Sequence, residues 1–254
     1  MYENKDSKNV KRKVLLGYCL ILISWAYCAS SEENLKTEKS ITLGVVEFPP
    51  LVIKEPDSSR CHGVAIDATV AILAKMNYHV LVECMPPARL FERVKTGKVD
   101  VTINVRGTSA LDQNATFIDA PFVYLSIVLL HNRQLADDKS ISAIRGYDYL
   151  GIRQALKQEG FEFFDMPTSS DAIHLFDVGR TSYLISYKQP YQFYTESLGS
   201  RLVEVSISDK LTVPSYFAVS NHSRYKDELV DSLNLVTTHI SDSTILETYR
   251  SANK

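Results

Sequence analysis

A basic surplus is missing from this sequence. Its 28 Lys and Arg face 30 Asp and Glu, for a net charge of −2 at pH 7, so nothing in the charge balance points to nucleic acid as a partner. Nucleotide and acyl-transfer signatures are also missing. There is no Gly-x-Ser-x-Gly elbow, no Walker glycine pattern and no dinucleotide fingerprint, which removes the usual footing for Ser-His-Asp hydrolysis and phosphate cradling. The six histidines (62, 79, 131, 174, 222 and 239) lack ligand spacing, and no Cys-x-x-Cys accompanies them. They read as structural or surface residues, and neither a metal nor another cofactor is implied.

Long apolar runs are scarce. Val14–Ala26 is the one candidate, and at about a dozen residues it falls short of the ~20 that span a bilayer. The run follows the cations Lys5, Lys8, Lys11, Arg12 and Lys13 and ends in Ala26-Tyr27-Cys28, with small residues two apart, as at the −3 and −1 positions of a cleavage site. Residues 1–28 therefore read as a cleaved secretory signal peptide, the alternative being a membrane anchor. Removing them leaves a chain more acidic than the whole. Cysteine is sparse too: of four, Cys19 and Cys28 leave with the signal, and Cys61 and Cys84 remain. In an oxidising compartment such a pair forms a disulfide or stays as two thiols, and the spacing does not decide which.

What is present is an ordinary globular body, 45% hydrophobic and 23% charged, long enough for one large domain or two small ones. Residues 29–40 form a polar lead-in. Ile41–Val46 reads as a buried strand stopped by Glu47-Phe48-Pro49-Pro50, and Ala68–Asn77 as a helix with Val70, Leu73 and Ala74 on one face. His79–Val82 is a strand and Ala88–Lys95 a helix closed by Gly97. Val99–Ile103 is a β-branched strand that breaks into the small, polar run Asn104–Ser109. A parallel strand ending in such residues frees N–H groups and hydroxyls where open α/β sheets hold ligands. Val123–Leu130 then reads as a long exit strand.

Past Leu130 the alternation restarts. Expected strands are Tyr149–Ile152, Phe161–Met166, Ser182–Tyr187 (broken by Pro190), Leu202–Ile207 and Tyr216–Val219. Expected helices are Gln154–Glu159, Ser169–Val178, Tyr225–Thr238 and a last turn or two over Ile245–Tyr249. The β-α-β order argues for right-handed crossovers and a parallel sheet in each half.

The succession Phe48-Pro49-Pro50, Gly63-x-x-x-Asp67, Arg89, Gly97-Lys98-Val99-Asp100, Asp119-Ala120-Pro121-Phe122 and Gly179-Arg180 resembles periplasmic solute-binding proteins of the polar-amino-acid type. The resemblance implies an α/β fold, two-lobed and periplasmic-binding-protein-like (type II), with two hinge crossings. It places lobe 1 at 41–129 plus 214–254 and lobe 2 at 130–213. It further implies a periplasmic monomer that captures a small polar molecule, amino-acid-like or an organic acid, for an inner-membrane ABC permease. Two alternatives from other classes are a periplasmic lyase or dehydratase on the same scaffold, for which Glu47 and Asp119 are the acids to test, and a stand-alone ligand sensor.

The sequence departs from the family at the ligand clamp. The Arg that holds a ligand carboxylate in the relatives falls on Gln113, its Thr on Ala110, and the second-lobe Asp on or near Tyr187. A Gln cannot reproduce a bidentate, charge-assisted pair. The ligand-binding candidates are accordingly Phe48 (stacking, or core), Arg89, Asn104, Arg106 (a substitute guanidinium, or a partner of Asp112), Thr108, Gln113, Gln154 at a helix start, and Tyr187. Gly107-Thr108-Ser109 can also form an anion nest, and Ser169 and Ser170 either receive a carboxylate or cap their helix.

Overall fold

The computed structural model describes residues 39–198, 204–240 and 243–253. The signal peptide expected at residues 1–28, with Cys19 and Cys28, falls outside them. Among the described residues no helix is long and apolar enough to cross a membrane.

The first block of the sheet is parallel. β1 (Lys39–Val45) pairs on one side with β4 (Tyr78–Cys84) and on the other with β5 (Val101–Val105). β1 buries Ile41, Leu43 and Val45 on one face and Gly44 on the other, so it is covered on both, as a parallel strand between crossover helices must be. The first crossover is α1 (Val64–Lys75), which buries Ala65, Ile66, Ala68, Thr69 and Leu73. The second is α2 (Pro87–Lys95), which has Pro at its first position and buries Leu90, Phe91 and Val94 at helical spacing. α2 lies so close to β1 that a Cβ on Gly44 would sit 2.5 Å from Leu90 Cδ1 and 2.9 Å from Val99 Cγ1. Between β1 and α1, β2 (Ile53–Lys54) and β3 (Cys61–His62) form a small antiparallel ribbon. A Cys61–Cys84 disulfide ties this ribbon to the end of β4, which resolves the two readings of that pair.

After the short helix α3 (Ser109–Asp112) comes β6 (Ala115–Asn132), an 18-residue strand. It pairs antiparallel along its length with β10 (Val205–Ser220). The lower part of β10 continues the first block by pairing with β5, while the far part of β6 pairs with β9 (Tyr183–Tyr187). β9 and β8 (Glu162–Met166) flank β7 (Ser140–Ile144), and these three are again parallel. The order of the whole sheet is β4-β1-β5-β10-β6-β9-β7-β8. Two parallel blocks thus share one antiparallel pair. Pro121 in β6 faces Tyr216 and Pro214 in β10 faces Tyr124, beside register shifts at Ser215–Ala218. A proline gives no ladder N–H, so the pair is weakest where it passes between the blocks.

The second block is covered by α4 (Ile152–Gln158), α5 (Ser169–Asp177) and α6 (Lys188–Leu198). The last helices, α7 (Lys226–Thr237) and α8 (Ile245–Ala252), return to the first block. Their Leu229, Leu233, Ile245 and Leu246 share a core with Ile41, Leu43 and Phe122. A capping box of Thr244 and Glu247 fixes the start of α8.

Three expectations need correction. Tyr149–Ile152 is not a strand: Tyr149 and Leu150 adopt φ of 54° and 56°, a left-handed turn from which α4 departs. The strand is Ser140–Ile144, whose serines hide it from hydrophobic pattern; every residue of it is buried. β9 ends at Tyr187 as expected, but Pro190 is not the break, because a helix already starts at Lys188. Pro190 stands third in α6, within the first turn, where a missing N–H breaks no helical bond. The strands expected at 202–207 and 216–219 are parts of β10, although residues 202–203 lie outside the described ones.

Candidate functional site

The carboxyl ends of the parallel strands in both blocks face one another. Phe48 leaves the end of β1, Asn104 sits near the end of β5, Tyr187 ends β9, and Tyr147 and Ser169 follow β7 and β8. This is the position where α/β sheets place ligands. The rings meet across the gap. Phe48 lies edge-on to Tyr187 at 5.1 Å between centroids, Tyr147 is 6.4 Å from Tyr187, and Phe91 of α2 is 6.2 Å from Tyr147. Tyr149 stands behind them, its hydroxyl accepting a bond from the Ile144 amide at 2.9 Å. Burial pushes the Tyr147, Tyr149 and Tyr187 phenols well up, so all three stay neutral. Close contact recurs at Gly107 (φ +86°), where a Cβ would lie 2.5 Å from Leu150 Cδ2.

Two recesses remain beside the rings. One, of about 70 Å³, is walled by Phe48, Asn104, Tyr147 and Tyr187 together with residues of β1, β5 and the crossing strands β6 and β10. The other, about 190 Å³, is bordered by Glu47, Lys54 and Arg89 from the first block and by Tyr147, Thr168 and Ser169 from the second. A polar latch crosses between the blocks at its edge. Tyr194 of α6 donates to Glu47 Oε1, and Ser170 Oγ lies 3.4 Å from Glu47 Oε2. Burial and that bond to Glu47 hold the Tyr194 phenol above its ordinary range.

The candidates from sequence divide. Phe48, Arg89, Asn104 and Tyr187 border these recesses, and Thr108 borders a further, smaller one of about 20 Å³ beside Asn104, Tyr147 and Tyr187. Asn104 is partly used within its own loop, its Oδ1 accepting from the Val105 amide at 3.0 Å. Arg106 is not brought to the recesses. Its guanidinium donates to the Ile118 carbonyl and Asp119 Oδ1, each at 3.0 Å, and stacks 4.3 Å over the Tyr216 ring. Its partner is therefore Asp119, while Asp112 instead accepts from the Gly107 amide. Gln113 is an exposed residue capping α3, and Gln154 an exposed residue of α4. Neither borders a recess described above. Asp119, with its side chain 92% exposed, also lies outside them. The cap of α5 is Thr168, whose side chain accepts from the Asp171 amide, and this frees Ser169 and Ser170 from the capping role.

Sequence reasoning missed Tyr147 and Thr168. Tyr147 was hidden because β7 was hidden, whereas Thr168 carried a legible signal as a Thr three residues before an acid at a helix start. Among the described residues no group of three or more His, Cys, Asp or Glu is placed to hold a metal.

No family model matches the chain, and no curated protein matches it. Solved structures do. An ancestral arginine-binding protein bound to arginine is 18% identical with a TM-score of 0.67, over 84% of this chain and 97% of that one. Truncated ArgBP from T. maritima in its arginine-bound form is 15% identical with a TM-score of 0.64, over 82% of this chain and 100% of that one. An amino acid ABC transporter substrate-binding protein from Streptococcus pneumoniae bound to L-arginine is 14% identical with a TM-score of 0.63, over 87% and 93%. The chain has the two-lobed α/β fold of periplasmic binding proteins, with β6 and β10 as its two crossings.

Proposed function

We propose that this chain is the solute-binding component of an importer, capturing a small polar molecule between two lobes that close about the β6–β10 pair. Lobe 1 is taken as 41–129 plus 214–254 and lobe 2 as 130–213. The observation that carries the reading is the 190 Å³ recess with one polar wall from each block. A ligand there touches both blocks at once and so favours the arrangement in which they approach. The named neighbours support the same reading, since they are arginine-binding proteins and an ABC transporter substrate-binding protein. The reading carries with it a monomer, export past the inner membrane and a membrane permease as partner. The lyase alternative is less well supported. Asp119 stands away from the recesses in an ion pair with Arg106, and Glu47 is tied to Tyr194 and Ser170.

The test is a thermal-shift screen of the purified protein against amino acids, small organic acids, amines and sugars. A compound present at a hundred times its Kd adds about 2.7 kcal/mol to folding stability. For a body of this size that raises Tm by roughly 5–10 °C. A complete screen without a shift refutes the reading.

A further inference from the structure

The ring-walled recess carries information about the charge of its ligand, and this step rests on the solute-binding reading above. Among the described residues that line it there is no Asp, Glu, His, Lys or Arg. Its ionisable groups are the phenols of Tyr147 and Tyr187, which burial keeps neutral. The two clamp positions read from sequence bring no charge either, for Gln113 is exposed away from the recess and Tyr187 is a phenol. The larger recess adjoins this one, since Phe48 and Tyr147 border both. Its cations, Lys54 and Arg89, are exposed, so water answers their charge, and its one carboxylate, Glu47, is held by Tyr194 and Ser170. A charged solute group entering the ring-walled space would shed its water and meet no opposite charge, a penalty that only a buried partner offsets.

The recess offers neutral hydrogen-bonding capacity instead. The hydroxyls of Tyr147 and Tyr187 have no partner among the described residues, although Tyr187 is only 6% exposed. They differ from the orphan hydroxyls of Ser169 and Ser186, which are sealed off; the two phenols open into the recesses that they border. Asn104 faces them from the first block. Its Oδ1 accepts from the Val105 amide, which fixes the orientation of the side-chain amide and leaves the Nδ2 protons free. Donors of this kind call for an acceptor. The ring faces would tolerate a cation, but an ammonium or guanidinium group only donates and would leave all three donors unanswered. A sugar brings more hydroxyls than three groups pair, and the rest of the wall is apolar, with Val45, Leu51 and Ile103.

We infer that the solute is an uncharged molecule with a flat, apolar ring and an amide or other carbonyl group. Its ring lies against Phe48, Tyr147 and Tyr187, and its oxygen accepts from Asn104 Nδ2 and the two phenols. Phe48 and Tyr187 already meet edge-on at 5.1 Å, so the solute ring joins an existing aromatic cluster. Both blocks then share one neutral ligand.

Isothermal titration of the full protein with benzamide, benzoate and benzamidine tests this. The three share one shape, are neutral, anionic and cationic in turn, and join the panel of the thermal-shift screen. Benzamide should bind at least about tenfold more tightly than either charged analogue. Tyr187→Phe removes a hydroxyl that makes no bond in the fold; it should weaken benzamide about fivefold without lowering the ligand-free melting temperature. Asn104→Asp keeps the acceptor for the Val105 amide but exchanges the donor for a charge. It should weaken benzamide at least about tenfold and strengthen benzamidine. Benzoate or benzamidine binding the parent as tightly as benzamide, or benzamide binding indifferent to both substitutions, overturns the neutral assignment and leaves the solute-binding reading standing. Failure of all three probes overturns the assignment as well, and the rest of the screen then decides the solute-binding reading by itself.

Discussion

Replacing both Cys61 and Cys84 with Ser should weaken the whole fold and loosen one wall of the recess. The bridge closes a 23-residue separation that includes β3, α1 and β4. Releasing such a loop returns about 3 kcal/mol of chain entropy to the unfolded state. For a body of about 200 residues this corresponds to a fall in Tm of about 6–12 °C. The local effect is separate. The ribbon pairs through only Ile53 with His62 and Lys54 with Cys61, and a two-stranded ribbon is marginal unaided. Because Lys54, Ser58 and Ser59 border the recess from this ribbon, ligand affinity should fall as well. Melting followed by far-UV circular dichroism, with and without a reductant, reads the first effect, and titration with whichever solute the screen identifies reads the second. A double variant that melts within about 2 °C of the parent would refute the reasoning, because the bridge would then constrain nothing in the unfolded chain.

Stability should also decline steeply above pH ~10. Tyr147, Tyr149 and Tyr187 keep their protons in the fold because burial raises their pKa, while in the unfolded chain they ionise near 10, so unfolding releases protons and each contributes about −1.4 kcal/mol per pH unit; urea titrations between pH 8 and 11.5 that give a flat profile would exclude it. Gly44→Ala should destabilise by about 1–3 kcal/mol, since Leu90 and Val99 of the packed core would have to yield to the new methyl group; an unchanged urea midpoint would mean that α2 can shift away from β1 freely.

Much of the architecture is written in local pattern. The alternation from Ile41 to Ile103 is legible because each strand there is apolar and each crossover helix has a continuous apolar face, as with Leu90, Phe91 and Val94. The pattern fails where burial is satisfied by small polar residues. β7 reads Ser-Ile-Ser-Ala-Ile, and its serines are buried through bonds to neighbours: Ser140 Oγ accepts from the Ser182 amide at 2.9 Å, and Ser142 Oγ donates to the Tyr183 carbonyl at 3.4 Å. Such partners are distant or backbone groups, invisible to periodicity. The site was legible by position rather than by role. Strand ends pointed to Phe48, Asn104 and Tyr187, but an Arg in a loop does not disclose its direction. Arg106 turned to the carbonyls of β6 and to Asp119, whereas Arg89 on a helix surface turned out to border the recess.

The contacts between the two blocks are of a size that a small ligand can match. Two ring pairs cross the gap, Phe48 with Tyr187 and Phe91 with Tyr147, each worth about 0.5–1.5 kcal/mol beyond its buried area. Two hydrogen bonds on Glu47 cross it as well, each contributing about 0.5–1.5 kcal/mol net. Their total, a few kcal/mol, is comparable to the ~2.7 kcal/mol that a solute supplies at a hundred times its Kd. If the contacts were much stronger, the blocks would stay together whatever was bound; if much weaker, capture would depend on the ligand alone. The prolines at 121 and 214 keep the opposing stiffness low by removing ladder bonds at the crossing. Glu47 is the sharpest lever on this balance, because one side chain carries both polar links and also borders the recess. Glu47→Gln should therefore shift the blocks apart and lower solute affinity together, whereas Arg89→Gln, at a residue that borders the recess without linking the blocks, should leave their resting arrangement unchanged, as small-angle scattering of the two solute-free variants would read.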